Sequence, residues 1–110
     1  MLVPEYAGCI EACHACAAAC NVCAAACLRE EDVAMMATCI ETDLDCAQIC
    51  WLTALLMERN SPHAKELCRI CVEVCDLCAD ICAAHEHDHC QECASACCRC
   101  ADQCRTVLAA

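Results

Sequence analysis

Twenty of the 110 residues are cysteine, and their spacing is regular enough to build something with. Cys9, Cys13, Cys16, Cys20, Cys23 and Cys27 alternate steps of four and three. That alternation keeps all six thiols on one face of a helix, along the seam where a helical bundle normally carries leucine. The same rhythm runs through Cys68, Cys71, Cys75, Cys78 and Cys82, between Ala64 and His85, and through Cys90, Cys93, Cys97, Cys100 and Cys104, ending on Val107. A further stripe is mixed: Met36, Cys39, Asp43, Cys46, Cys50, Thr53 and Met57. Cys98 stands one step off its stripe and is expected to be a flanking thiol that still reaches a neighbour.

Residues four apart on a helix have Cβ atoms roughly 5–6 Å apart, so two thiolates can converge on one ion. The chain holds eight such CxxxC pairs: Cys9/Cys13, Cys16/Cys20, Cys23/Cys27, Cys46/Cys50, Cys71/Cys75, Cys78/Cys82, Cys93/Cys97 and Cys100/Cys104. Thiolate and thioether ligands select soft ions, and Cu(I), content with two or three sulfurs, leads the candidates. Met36, His85 and His89 are candidate ligands at one end of the stripes. Asp43, on a thiol stripe, reads as a weak ligand, a hydrogen-bond acceptor or a hydrated core group, because an unpaired buried carboxylate is costly. Zinc or cadmium buffering by a metallothionein-like protein is the rival. The six CxxC pairs resemble zinc or redox motifs one at a time, but the three-residue step of the stripe imposes them. The ferredoxin cysteine run is absent, and a thiol–disulfide enzyme needs one exposed CxxC at a helix start rather than rows of inward thiols. No general base beside an open metal position suggests catalysis. Cysteine as a plain small core residue does not explain so many thiols in register.

The elements that must hold these stripes are long helices. With one Gly and two Pro, the chain has few breakers. Helices are expected over about 4–28, 32–58, 62–84 and 88–107. Pro4 suits a first turn, Asp32 reads as a cap, Ser61 and Pro62 as a cap and first helical residue, and Asp88 with Gln91 as a capping box. Short connections make neighbours antiparallel. The expected fold is all-α, an antiparallel up-down four-helix bundle with a thiol-lined core, forming a single domain over residues 1–110. One end of that bundle collects Cys27, Met35, Met36, His85, His87, His89 and Cys90, and reads as the ion entrance. The other collects Leu2, Tyr6, Leu55, Met57, Val107 and Leu108, and reads as an apolar plug. A second aliphatic stripe on the third helix, Leu67, Ile70, Val74, Leu77 and Ile81, needs cover from a helix or another subunit. His14 and His63 are expected at the surface, and Trp51 beside the core or between subunits.

Composition narrows the class further. The hydrophobic share of 62% is mostly thiol and alanine, with no Phe. A secreted disulfide scaffold would be loop-rich, whereas this chain is Gly-poor, and its start, MLVPEYAG, lacks an apolar signal core. The expectation is a cytoplasmic protein with reduced thiols. A net charge of −11 disfavours nucleic acid and anionic membrane surfaces and favours a cationic partner. No apolar run is expected to span a bilayer.

The rows CIEACHACAAACNVCAAAC, CRICVEVCDLCADIC and CQECASACCRCADQC resemble the bacterial copper storage proteins across essentially the whole chain. The resemblance implies a four-helix bundle filled with Cu(I)–thiolate sites, multiple Cu(I) ions per chain, a homotetramer and a cytosolic location. It also implies His and Met residues near one mouth as the entry route. A copper chaperone or a low-molecular-weight thiol is the expected exchange partner. Asp43 and Thr53, on stripe positions of the second helix, depart from an all-thiol seam.

Overall fold

The computed structural model describes residues 2–110. Four helices follow one another: α1 (Ala7–Cys27), α2 (Ala37–Glu58), α3 (Ala64–Ala83) and α4 (Asp88–Ala109). Short 3₁₀ turns, Pro4–Tyr6 and Val33–Met36, lead into α1 and α2. Each helix packs on its two neighbours around a ring, most closely within the α1–α2 and α3–α4 hairpins. The result is an all-α antiparallel bundle, 46 Å long and 20 × 18 Å across.

The cross-section follows from the side chains beside each stripe. Ala12, Ala17, Ala24, Ala47, Ala54, Ala79, Ala94 and Ala101 are all buried and flank the thiols. Residues this small let helix backbones approach until the sulfurs of facing helices meet. Gly8 lies against α4: a Cβ there would stand 2.9 Å from Gln103 Oε1, the tip of a flexible side chain.

The turns differ in detail from expectation. α2 begins at Ala37, not near residue 32, and Asp32 does not cap it. Its carboxylate instead faces His87, with Oδ1 3.3 Å from Nε2. Asn60 takes the left-handed conformation (φ 51°). The Ser61 N–H donates to Leu56 O (2.9 Å) and the Asn60 N–H to Met57 O (3.0 Å), closing α2 with a Schellman turn. The Ser61 hydroxyl accepts from the His63 N–H, and Pro62 lies in the turn ahead of α3 rather than inside it. Asp88 and Gln91 form no capping box. The Gln91 amide donates to Ala83 O (3.1 Å) and His85 O (2.6 Å), satisfying carbonyls left open where α3 ends.

Pro4–Cys27, with mean hydropathy 1.4, is long and apolar enough to cross a bilayer, contrary to the expectation from sequence. Its apolarity comes largely from alanine and from thiols turned into the bundle, where half of the window is buried. Outside, Ile70 and Leu77 of the α3 aliphatic stripe are exposed and Leu67, Val74 and Ile81 half-buried, so the single chain leaves that stripe largely uncovered. Trp51 is exposed on α2, edge-on to His14 at 4.9 Å, and His14 Nε2 pairs with Glu58 at 3.0 Å.

Replacing Gly8 by Ala tests how tightly α1 and α4 fit. Gln103 can swing aside, so the gain in helix propensity should dominate, raising apo stability by about 0.5–1 kcal/mol in denaturant melts. A loss of stability would show that the α1–α4 contact has no room for a methyl group.

Candidate metal centre

Nineteen of the twenty cysteines are buried, and all twenty are free thiols. Cys98 is the exception to the burial. One residue past Cys97 turns it about 100° away from the seam, so it is exposed and does not join the inner column, correcting the expectation that it reaches a neighbour.

Inside, the sulfurs form a near-continuous column. At the sealed end Cys9 and Cys104 approach to 3.4 Å. Cys13 and Cys100 follow at 3.6 Å, and Cys71 and Cys100 at 3.8 Å. Cys50 lies 3.6 Å from Cys75, Cys46 lies 3.7 Å from Cys75, and Cys16 lies 3.6 Å from Cys97. Cys20 and Cys93 meet at 3.6 Å, and Cys39 and Cys82 at 3.4 Å. Four of the eight CxxxC pairs bring their own sulfurs to 3.8–3.9 Å: Cys23/Cys27, Cys46/Cys50, Cys71/Cys75 and Cys78/Cys82. The shortest contacts are between helices, so facing pairs matter as much as the i, i+4 pairs that sequence singles out.

Groups of four thiols whose sulfurs lie within 4.8 Å of one another include Cys13, Cys71, Cys100 and Cys104, as well as Cys23, Cys27, Cys39 and Cys90. Between them come overlapping groups: Cys16 with Cys46, Cys50 and Cys75; Cys16 with Cys20, Cys46 and Cys97; and Cys20 with Cys78, Cys93 and Cys97. Cys16, Cys20, Cys46 and Cys97 each serve two groups. Thiols shared in this way can bridge neighbouring ions.

Asp43 interrupts the column with oxygen. It is wholly buried, and three thiols donate to its Oδ1: Cys78 at 3.2 Å, and Cys82 and Cys93 at 3.3 Å. Cys39 donates to Oδ2 at 3.8 Å. Burial pushes its pKa up to about 9, with Cys23 pulling it the other way. The group is therefore a neutral acid at neutral pH in the metal-free protein. Thr53, the other stripe departure, is fully buried and donates its hydroxyl back to Ile49 O at 2.7 Å. Burial likewise holds the Cys39 thiol up at about 11, whereas hydrogen bonding with Cys104 and Cys13 brings Cys100 down to about 7.

At the end expected to be the entrance, the column is closed by His89. Its Nδ1 faces Cys23 and Cys90 at 3.6 Å and Cys27 at 3.8 Å, extending the thiol group by one nitrogen. Its Nε2 is buried without a hydrogen bond, 3.4 Å from Glu30 Oε1. His87 stacks on His89 with ring centroids 5.3 Å apart, and its Nδ1 lies 3.2 Å from Glu30 Oε2. His85 is half-buried at the end of α3, and thiol contacts at this end are made by His89 instead. Met36 is fully buried, while Met35 is 76% exposed. At the opposite end Tyr6, Met57 and Val107 are buried, but Leu2 and Leu55 are exposed, so the expected plug is smaller than the sequence suggests. Reading Met57 as apolar filler overlooked its sulfur, which accepts from Cys68 at 3.9 Å.

A soft-metal protein of the helical-bundle class is what this fold and this column define. The chain matches the copper storage protein family over residues 3–109 and belongs to it. It is similar to Cu(I)-bound copper storage protein BsCsp3, at 45% identity over 96% of this chain and 99% of that one, with a TM-score of 0.90. A cytosolic copper storage protein from Streptomyces lividans, carrying five coppers, is 42% identical over 96% of this chain and 93% of its own, with a TM-score of 0.93. An uncharacterised cysteine-rich protein of Bacillus subtilis, YhjQ, is 46% identical over 74% of this chain and 75% of its own length.

Asp43 predicts a pH dependence of the metal-free protein. The unfolded chain ionises this group near 3.8, the folded chain only near 9. Between those values the folded state holds the extra proton, so stability present at low pH is lost as pH rises through the window. The limiting slope is about 1.4 kcal/mol per pH unit. Apo Asp43→Asn should lose less stability than the parent between about pH 5 and about pH 8 in denaturant melts. Parallel profiles would contradict the neutral acid.

Proposed function

We propose that the protein stores and sequesters multiple Cu(I) ions on the buried thiols, acting as a reservoir and not as an enzyme. The observation that carries this reading is the sharing of sulfurs between successive groups along one buried column. Two- or three-coordinate Cu(I) can fill such a column densely, on the order of one ion per thiol. Each thiol that binds gives up its proton, so filling is coupled to proton release and is resisted at low pH. The ligands are the nineteen buried cysteines, joined at the mouth by His89 and Met36, with His85 beside them. Asp43 holds thiol protons before loading and accepts hydrogen bonds or weak coordination afterwards. The chain works as one domain. Its uncovered α3 stripe supports assembly as a homotetramer, and exchange with a copper chaperone or a small cytosolic thiol suits an acidic carrier in the cytoplasm.

Zinc or cadmium buffering is the second reading, because four thiols within 4.8 Å also suit a tetrahedral ion. Anaerobic titration with Cu(I) and with Zn(II), each against a competing chelator and followed by elemental analysis, separates the two. Storage of Cu(I) predicts saturation near one ion per thiol, with Cu(I) displacing Zn(II). Saturation near one ion per four thiols, with Zn(II) preferred, supports buffering.

The mouth makes its own prediction. Replacing His85, His87 and His89 by Ala and Met35 and Met36 by Leu in one protein should slow loading and chelator-driven unloading several-fold in stopped-flow traces. Most of the capacity should remain. Unchanged rates would mean that ions enter elsewhere.

A further inference from the structure

At the sealed end, each helix contributes one sulfur to a single layer. α1 supplies Cys9, α2 Met57, α3 Cys68 and α4 Cys104, and all four side chains belong to one buried cluster. Cys9 and Cys104 stand 3.4 Å apart, and Cys68 donates to Met57 Sδ at 3.9 Å. Cys104 and Cys9 are the nearest thiol influences on Cys68. Cys9, Cys68, Cys104 and Met57 are each at most 1% exposed, behind a lid of Tyr6, Ala64 and Val107. The two residues before Met57 are Leu55 and Leu56, yet the position aimed inward is the thioether.

We propose that Met57 is a metal ligand, completing with Cys9, Cys68 and Cys104 a sealed-end subsite for a soft monovalent cation. The proposal rests on the Cu(I) storage reading and extends it to a residue at the far end from the mouth. A thioether donates a soft lone pair without carrying charge or a proton. A layer of three thiolates and one thioether therefore accepts Cu(I) while burying one negative charge fewer than four thiolates would. Thioether is a poor ligand for zinc, which takes thiolate, imidazole or carboxylate, so this layer favours Cu(I) over Zn(II). Met36, the last residue of the 3₁₀ turn leading into α2, lies on the same stripe at the mouth and is equally buried. The stripe that enters and follows α2 therefore begins and ends on methionine, with a sulfur at either end of the column.

Two measurements on the full chain test this. The first compares the Cu(I) capacity of the parent and Met57→Leu, a change that keeps the apolar volume, by anaerobic titration against a colorimetric Cu(I) chelator. The variant should lose about one ion per chain and keep the parent's apo melting temperature. The second uses selenomethionine protein carrying Met35→Leu and Met36→Leu, which leaves selenium at Met57 and at Met1. Selenium-edge absorption of this protein at full loading should show copper in the selenium shell, and this holds the test open if Met57→Leu does not fold. Full Cu(I) loading with only light atoms around selenium overturns the subsite and leaves storage standing. Failure to load Cu(I) at all overturns both.

Discussion

Everything in this bundle depends on sulfur approaching sulfur at 3.4–3.9 Å across the helix interfaces. A leucine seam would fill the same space with hydrocarbon and hold the helices further apart. Thiols, flanked by alanine, instead give a core whose walls are ligands. Such a core buries less apolar surface per residue than an aliphatic one, so the metal-free fold leans on close backbone packing and on whatever covers the outer aliphatic stripes. Ions that bind only the folded column add to stability by mass action.

The chemistry of the column is graded along its length. At the mouth, an imidazole nitrogen meets three thiols, with its ring held between the column and the acidic α1–α2 connection. A third of the way in, a protonated Asp43 takes hydrogen bonds from thiols of α2, α3 and α4. The middle is pure thiol with shared sulfurs, and the sealed end closes on a thioether. Soft ligands dominate throughout; imidazole and carboxyl lie in the half nearest the mouth, and the Thr53 hydroxyl in the other half is turned back to the Ile49 carbonyl.

Much of this was legible in the sequence because the signal is periodic. Steps of four and three fix the face of a helix, so burial of the stripe cysteines and the four-helix architecture followed directly. What periodicity does not encode is contact across helices. It placed Cys98 one residue off the stripe but not its exposure, and it singled out CxxxC pairs where facing pairs are closer. Local turn chemistry also misled where a tertiary partner competed: Asp32 is drawn to His87, and Gln91 to the end of α3. Met57 was read by its apolarity because nothing in a linear spacing says that a cysteine of α3 will stand opposite its sulfur. The buried acid state of Asp43 needed the three surrounding thiols to be placed before its environment could be judged.

The central claim is that sulfur, joined by His89 at the mouth, holds a continuous train of ions inside the bundle. Copper-edge X-ray absorption of the anaerobically loaded protein, recorded as loading rises, tests it most directly. The account predicts a first shell of two or three sulfurs at every stage past the mouth, with copper–copper scattering that grows as neighbouring groups fill. A shell dominated by nitrogen or oxygen, or isolated coppers at full loading, would contradict it.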